Sequence, residues 1–273
     1  MQWMPGPSRR LSQTPRRGDG NSSGGWHGRT RSGFSMVELI VALSVVTVLT
    51  ALLMPGLRSA RRTAYGVICS ANQRQIGIAF MLWGEDHAGM LPESLLQSKG
   101  DFAEMMAVTT GAGSEEVAPG FDGLGRLWEW RYIDSPRCLH CPAHRHTHTF
   151  EANEESYRGS LTGDVPDRVY ANYHYTGHLR LKPLVTEGRQ VLRSQHRAGR
   201  TVLLTDGLRS REDFNHETGM NVLFADGSSQ WQADTGSKIV SSLPSDANSS
   251  SELFIGNNLG IQAIWFDLSV DGD

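Results

Sequence analysis

The chain has 273 residues, 38% hydrophobic and 20% charged, with 30 Gly and 11 Pro; this is the composition of a loop-rich globular protein of one large or two small domains and excludes a polytopic membrane protein. The formal net charge of -3 is unevenly spread, because residues 1–33 carry Arg9, Arg10, Arg16, Arg17, Arg29 and Arg31 against Asp19 alone, a local +5 that leaves the other 240 residues at -8. A nucleic-acid binder would hold its basic patch on a folded part, whereas here the basic part is a Gly/Ser/Arg-rich stretch without periodicity, so no nucleic-acid partner is expected.

In chain order, residues 1–33 read as a leader. From Phe34 to Leu57 the sequence is FSMVELIVALSVVTVLTALLMPGL, 24 residues with the single charge of Glu38. At about 1.5 Å per residue a helix over this run spans roughly 36 Å, enough to cross a hydrocarbon core of about 30 Å. The arginine-rich leader places residues 1–33 in the cytoplasm by the positive-inside rule, making the chain a single-pass inner-membrane protein; Arg58, Arg61 and Arg62 on the far side oppose that orientation without reversing it. Cleavage after the run, as in a secretory signal peptide, is not expected, because Arg58 stands where a small residue is wanted.

Residues 58–88 read as an amphipathic continuation of the helix. Ala60, Ala64, Ile68, Ala71, Gln75, Ile78 and Leu82 recur at steps of three and four, with Arg58, Arg61, Arg62, Gln73 and Arg74 off the stripe. Gly84 and the Gly89-Met90-Leu91-Pro92 turn end it. Residues 89–244 read as a β-rich globular domain. Val202-Leu203-Leu204-Thr205 forms a strand closing on Asp206-Gly207, and Met220–Ala225 and Ser228–Ala233 form a hairpin about a two-residue Asp226-Gly227 turn. Residues 245–273 read as a linker and tail. The fold class is therefore α+β, a long N-terminal helix packed on an antiparallel β-rich domain.

The front edge of the apolar run, Gly33-Phe34-Ser35-Met36-Val37-Glu38, resembles the type IV prepilin and type II secretion pseudopilin family. The resemblance implies cleavage by prepilin peptidase between Gly33 and Phe34, methylation of the new amino terminus, and a pilin-like fold. It also implies that Glu38, the fifth residue of the mature chain, pairs with the amino terminus of a neighbouring subunit during assembly. The chemistry agrees: a carboxylate deep in an apolar helix costs about 2.5–3.5 kcal/mol and needs a partner, and cleavage creates an amine about one helical turn away. Ser32 departs from the Lys or Arg that often precedes the glycine, and a 33-residue leader is long.

Further along, Cys69-Ser70-Ala71-Asn72-Gln73-Arg74-Gln75-Ile76-Gly77, Pro92, Cys141-Pro142, Tyr170-Ala171-Asn172-Tyr173, and His216 nine residues before Asp226-Gly227 occur in order. Together they resemble pilin-related proteins with an H-x9-D-G processing-associated motif, abundant in planctomycete-type bacteria and overlapping a family of unknown function. His216, Asp226 and Gly227 are the motif residues that this resemblance assigns.

The densest chemical cluster runs from Cys138 to His148 and holds Cys138, His140, Cys141, His144, His146 and His148. Cys138, His140, Cys141 and His144 are candidate zinc ligands, but a structural zinc site usually needs two separated ligand pairs and only one C-x-x-C occurs. In an oxidising compartment a disulfide is the competing outcome, and three cysteines, Cys69, Cys138 and Cys141, leave one unpaired. No metal is assigned on this evidence. The acidic stretch Asp206 to Asp213 and Asp267, Asp271 and Asp273 are candidate calcium ligands, since some pseudopilins bind calcium, against the plainer reading of a solvated acidic loop. His216 and Asp226 lack a nucleophile elbow, phosphate loop or metalloprotease helix beside them, so no enzyme is expected.

The sequence thus predicts a pilin-like structural subunit. Its partners would be prepilin peptidase, other pilin-like subunits and inner-membrane lipid, and its C-terminal domain would be periplasmic or displayed on a filament. The competing reading is a single-pass membrane-anchored binding module that uses the Cys/His cluster for a metal or ligand and never assembles.

Overall fold

The computed structural model describes residues 33–95, 105–111, 119–162, 168–177 and 201–245, together with 261, 263–265 and 268. The leader up to Ser32 and the calcium candidates Asp267, Asp271 and Asp273 lie outside the described residues. The chain divides into two compact units, residues 1–51 and 52–273.

In the first unit, helix α1 (Met36–Asp86) begins. Its start is a capping box: the Ser35 N–H donates to Glu38 Oε2 at 2.9 Å while the Glu38 N–H donates to Ser35 Oγ at 3.2 Å, so the two residues satisfy two otherwise orphaned donors. The hydroxyls in the apolar run bond back into the helix, Ser44 to Val41 O at 2.7 Å, Thr47 to Leu43 O at 2.7 Å and Thr50 to Val46 O at 3.0 Å. With backbone and side-chain polar groups satisfied internally and every residue from Met36 to Ala51 exposed, this stretch meets the conditions for a segment surrounded by lipid. By length and composition α1 holds the one candidate membrane span among the described residues, as a single-pass anchor requires.

In the second unit α1 continues through Pro55 to Asp86. Its buried face is Cys69, Gln73, Ile76, Phe80 and Trp83, not the predicted stripe, of which Ala60, Ala64, Ala71, Gln75, Ile78 and Leu82 are exposed. Both sets step by three and four residues. Gln73, which lies off the predicted stripe, is wholly buried because its amide is hydrogen-bonded there.

That face packs on a four-stranded antiparallel sheet in the order β1 (Tyr173–Tyr175), β2 (Val202–Asp206), β3 (Gly219–Phe224) and β4 (Ser229–Ala233). Phe80 stacks on Tyr175 with ring centroids 5.2 Å apart. Gly77 lets the helix approach, since a Cβ there would sit 3.2 Å from Leu223 Cδ1. The opposite side of β1 carries His174, whose ring meets the edge of buried Trp265 at 5.2 Å. Strands β1 to β3 are consequently buried along their whole length, and β4 is a largely exposed edge. Among the described residues the α-helices α2 (Gly125–Glu129), α3 (Phe150–Thr162) and α4 (Lys238–Ser242) flank this core. The α+β class holds, with α3 an element that the β-rich reading of 89–244 did not contain.

The β3–β4 loop also differs from expectation. Gly227 N–H donates to Phe224 O at 2.9 Å and Phe224 N–H to Ser228 O at 2.9 Å, with Gly227 at φ +82°, so the loop has three residues, Ala225, Asp226 and Gly227. A type I turn followed by a left-handed glycine gives this form, which an Asp-Gly pair serves as readily as the two-residue turn.

Candidate functional site: the processing segment and a buried Cys/His/Asp centre

Gly33 and Phe34 precede the capping box and are fully open, with Phe34 86% exposed. A Cβ added to Gly33 would meet nothing within 4 Å, so nothing in the fold demands glycine at this position. Glu38 is exposed one turn into the helix, its carboxylate held on the Ser35 N–H.

The second centre assembles fragments far apart in sequence. Cys69, on the buried face of α1, and Cys141, just after the 3-10 turn Pro136–Leu139, form a disulfide with Cα atoms 5.6 Å apart. Asn172, ahead of β1, accepts the Cys141 N–H at 3.0 Å and donates to His148 O at 2.9 Å, fixing the chain around the cysteine. Asn72, three residues along α1 from Cys69, donates to His140 O and to the Tyr173 hydroxyl, each at 3.2 Å. His216, between β2 and β3, directs Nε2 to Cys141 Sγ at 3.5 Å and to Asp206 Oδ2 at 3.6 Å, with its side chain only 5% exposed.

Asp206 ends β2 and is almost completely buried. Its Oδ2 accepts the Asn221 N–H at 2.6 Å and the Asn221 amide at 3.2 Å, and its Oδ1 accepts the Gln73 amide at 3.2 Å. Desolvation pushes its carboxyl up to about 7 against these hydrogen bonds, which pull the other way. Burial also lowers His216 to about 4, leaving the imidazole neutral near pH 7 with a lone pair to offer.

The predicted Cys138, His140, Cys141 and His144 set does not converge on one point. Cys138 stands outside the disulfide, and burial pushes its thiol up to about 12. Both His140 nitrogens are engaged, Nδ1 with His148 O at 3.0 Å and Nε2 with the Tyr157 hydroxyl at 2.9 Å, and burial lowers its imidazole to about 4. His144 is likewise held between Asn215 Oδ1 at 2.8 Å and the His148 N–H at 3.3 Å. In the acidic stretch, Asp206 is committed to Gln73 and Asn221, and Asp213 accepts the Ser210 hydroxyl at 2.8 Å. The one group of three or more His, Cys, Asp or Glu donors within mutual metal-ligand reach among the described residues is Cys69, Cys141 and His216.

His216 and Asp226 have different surroundings. Asp226 caps the β3–β4 loop through Oδ1 on the Ser228 N–H at 2.8 Å, and the length of β3, about 20 Å at 3.3 Å per residue, separates the two ends. The carboxylate facing His216 is Asp206, which the sequence offered as the start of a turn and as a calcium candidate, not as a partner of His216. A cleft of about 1030 Å³, lined by Arg61, Arg145, Asn215, His216, Asn221 and Trp231 among others, opens beside His216.

Residues 28–54 match the family model of the prokaryotic N-terminal methylation motif. The match spans Gly33, Phe34 and Glu38, the leader edge and most of the apolar run, and identifies a prepilin-type leader. It supports a type IV pilin-like precursor that is processed by prepilin peptidase. The open Gly33-Phe34 bond and the lipid-compatible start of α1 are what such a precursor presents. The H-x9-D-G segment lies outside the match. No curated protein and no solved structure matches the chain.

Proposed function

We propose that this chain is a structural subunit of a type II secretion or type IV pilus-like filament, cut between Gly33 and Phe34 and assembled through its N-terminal helix. In this reading it is not an enzyme, its leader is cytoplasmic, and its C-terminal domain is presented outside the inner membrane. The observation that carries the reading is the methylation motif over residues 28–54, which takes in the start of a helix, from Met36, whose first turns are apolar and exposed. Gly33, which the fold itself does not need, supports it as a residue kept for recognition.

Glu38 is the register residue of this proposal. In the uncleaved chain its carboxylate closes the capping box on Ser35. Cleavage places a charged amine next to Ser35, so the carboxylate can exchange a backbone donor for an ammonium on a neighbouring subunit, a pairing made only in the correct stagger. Because a capping box accepts Gln as well as Glu, Glu38→Gln keeps the cap and removes the charge. Expressed in the host, Glu38→Gln and Glu38→Ala are both expected to be processed normally and to be absent from sheared or cross-linked filaments. Normal incorporation of Glu38→Gln would reduce Glu38 to a helix cap and refute the register role. The membrane-anchored binding module, which never assembles, is distinguished by an unprocessed amino terminus.

A further inference from the structure

We infer that the cleft beside His216 seats the phosphate of an anionic phospholipid headgroup, held between Arg61 of α1 and Arg145 of the segment after Cys141. Six of the residues lining this cleft are arginine and two, Glu212 and Glu217, are acidic. Both glutamates are engaged, Glu217 by Arg62 at 3.1 Å and Glu212 by His146 at 3.9 Å. The Arg211 guanidinium is committed to the Val240, Ser241 and Leu243 carbonyls at 3.2, 3.2 and 3.0 Å. Among the described residues Arg58, Arg61 and Arg145 form no ion pair, so the cleft carries positive charge that no carboxylate of the fold neutralises.

These charges converge. Arg58, Arg61, Arg62 and Tyr65 recur at three- and four-residue steps and lie along one face of α1. Arg145 holds its guanidinium carbon 5.6 Å from the centre of the Tyr65 ring, which brings it over that face about one turn beyond Arg61. The Cys69–Cys141 disulfide and the 2.8 Å contact of His144 Nδ1 with Asn215 Oδ1 fix the segment that carries it. Like charges gathered in this way repel, and their planar forks match phosphate oxygens, so a bound phosphate relieves the repulsion and uses the donors. Its source follows from position. Arg61 stands four residues past Leu57, about 6 Å of helix rise, and the headgroup layer outside the hydrocarbon is roughly 5–8 Å deep. Val67 and Trp231, 65% and 47% exposed, give the same cleft apolar walls, and tryptophan is the residue that favours this layer. Anionic headgroups also answer the arginines at 58, 61 and 62, which run against the charge rule that orients the leader. The inference rests on the membrane anchor, which the filament and binding-module readings share, and not on processing or assembly.

The test reconstitutes the full chain into vesicles of equal parts phosphatidylcholine and phosphatidylglycerol, recovers it in neutral detergent and counts the retained lipids by native mass spectrometry. Phosphatidylglycerol should be retained in preference to phosphatidylcholine and should stay bound in excess inorganic phosphate. An arginine at an anionic surface is worth about a fivefold preference, so Arg61→Ala with Arg145→Ala should lower the ratio of the two lipids roughly 25-fold. Arg137→Ala with Arg158→Ala removes the same charge outside the cleft, from ion pairs with Glu151 and Glu154, and should leave the ratio unchanged. Equal retention of the two lipids by the unmutated chain, an equal loss in the control variant, or displacement by inorganic phosphate would overturn the inference; the last result would make the cleft a free-phosphate site. A chain that does not float with the vesicles would overturn the membrane anchor itself, and the inference with it. The preference of the unmutated chain decides the matter even where a variant fails to fold.

Discussion

Gln73→Ala tests the polar joint between α1 and the sheet. Gln73 is wholly buried and makes three hydrogen bonds: its amide nitrogen donates to Asp206 Oδ1 at 3.2 Å and Asn221 O at 3.0 Å, and its oxygen accepts from Ser229 Oγ at 3.2 Å. The truncation leaves Asp206 Oδ1 buried without its donor and opens a cavity. At about 1–3 kcal/mol for an unsatisfied buried group, more when charged, the loss amounts to about 3 kcal/mol near neutral pH. For a domain of this size that is a fall in Tm of about 10 °C. Gln73→Leu restores the volume without the donor and should recover only the smaller, cavity part. The pH dependence identifies the mechanism. Asp206 is already raised to about 7 by burial, and removing a hydrogen bond that favours its ionised form raises it further. Below about 7 the carboxyl is protonated in the folded chain with or without Gln73, so the pH-dependent part of either variant's penalty is small there and grows as pH rises through 7. Urea unfolding at pH 5 and pH 8 measures it. A cost below about 1 kcal/mol, or one equal at the two pH values, would refute the view that Gln73 serves the buried carboxylate.

Asp206→Asn should steepen the loss of stability on acidification. His140 and His216 are lowered to about 4, so between pH 6.5 and 4 the unfolded chain binds protons that the folded one does not, and stability falls with pH. Asp206, raised to about 7, binds a proton only in the folded state over that window and partly offsets this. Removing it adds one proton to the slope, about 1.4 kcal/mol per pH unit, and parallel urea titrations of the two proteins would contradict the assignment. Reducing the Cys69–Cys141 disulfide should cost about 4 kcal/mol by the chain-entropy argument for a separation of 72 residues; an unchanged urea midpoint would contradict it.

The parts of the fold that were legible in the sequence are those written in local patterns. The 24-residue apolar run announced α1, the Gly84 and Gly89 signals placed its end close to the observed Asp86, and Val202 to Thr205 and Met220 to Phe224 read as strands. The helix face was misread because burial of Gln73 depends on Asp206 and Asn221, which only folding brings to it. The same reason hid the centre around His216. Its partners come from α1, from Cys141 and from the end of β2, and no spacing along the chain encodes that meeting. The quoted fragments around Cys69, Cys141, Asn172 and His216 do converge on the disulfide, whereas Asp226-Gly227 serves the hairpin loop. Glu38 also has a local role in capping, which the Ser-x-x-Glu spacing from Ser35 to Glu38 signals.

That the chain is a prepilin-type precursor is tested at the amino terminus of the mature protein. Intact mass and amino-terminal sequencing of the protein from its host's membranes should give a chain beginning at N-methylated Phe34. A chain that retains the arginine-rich leader, or one cut after Leu57, would contradict it.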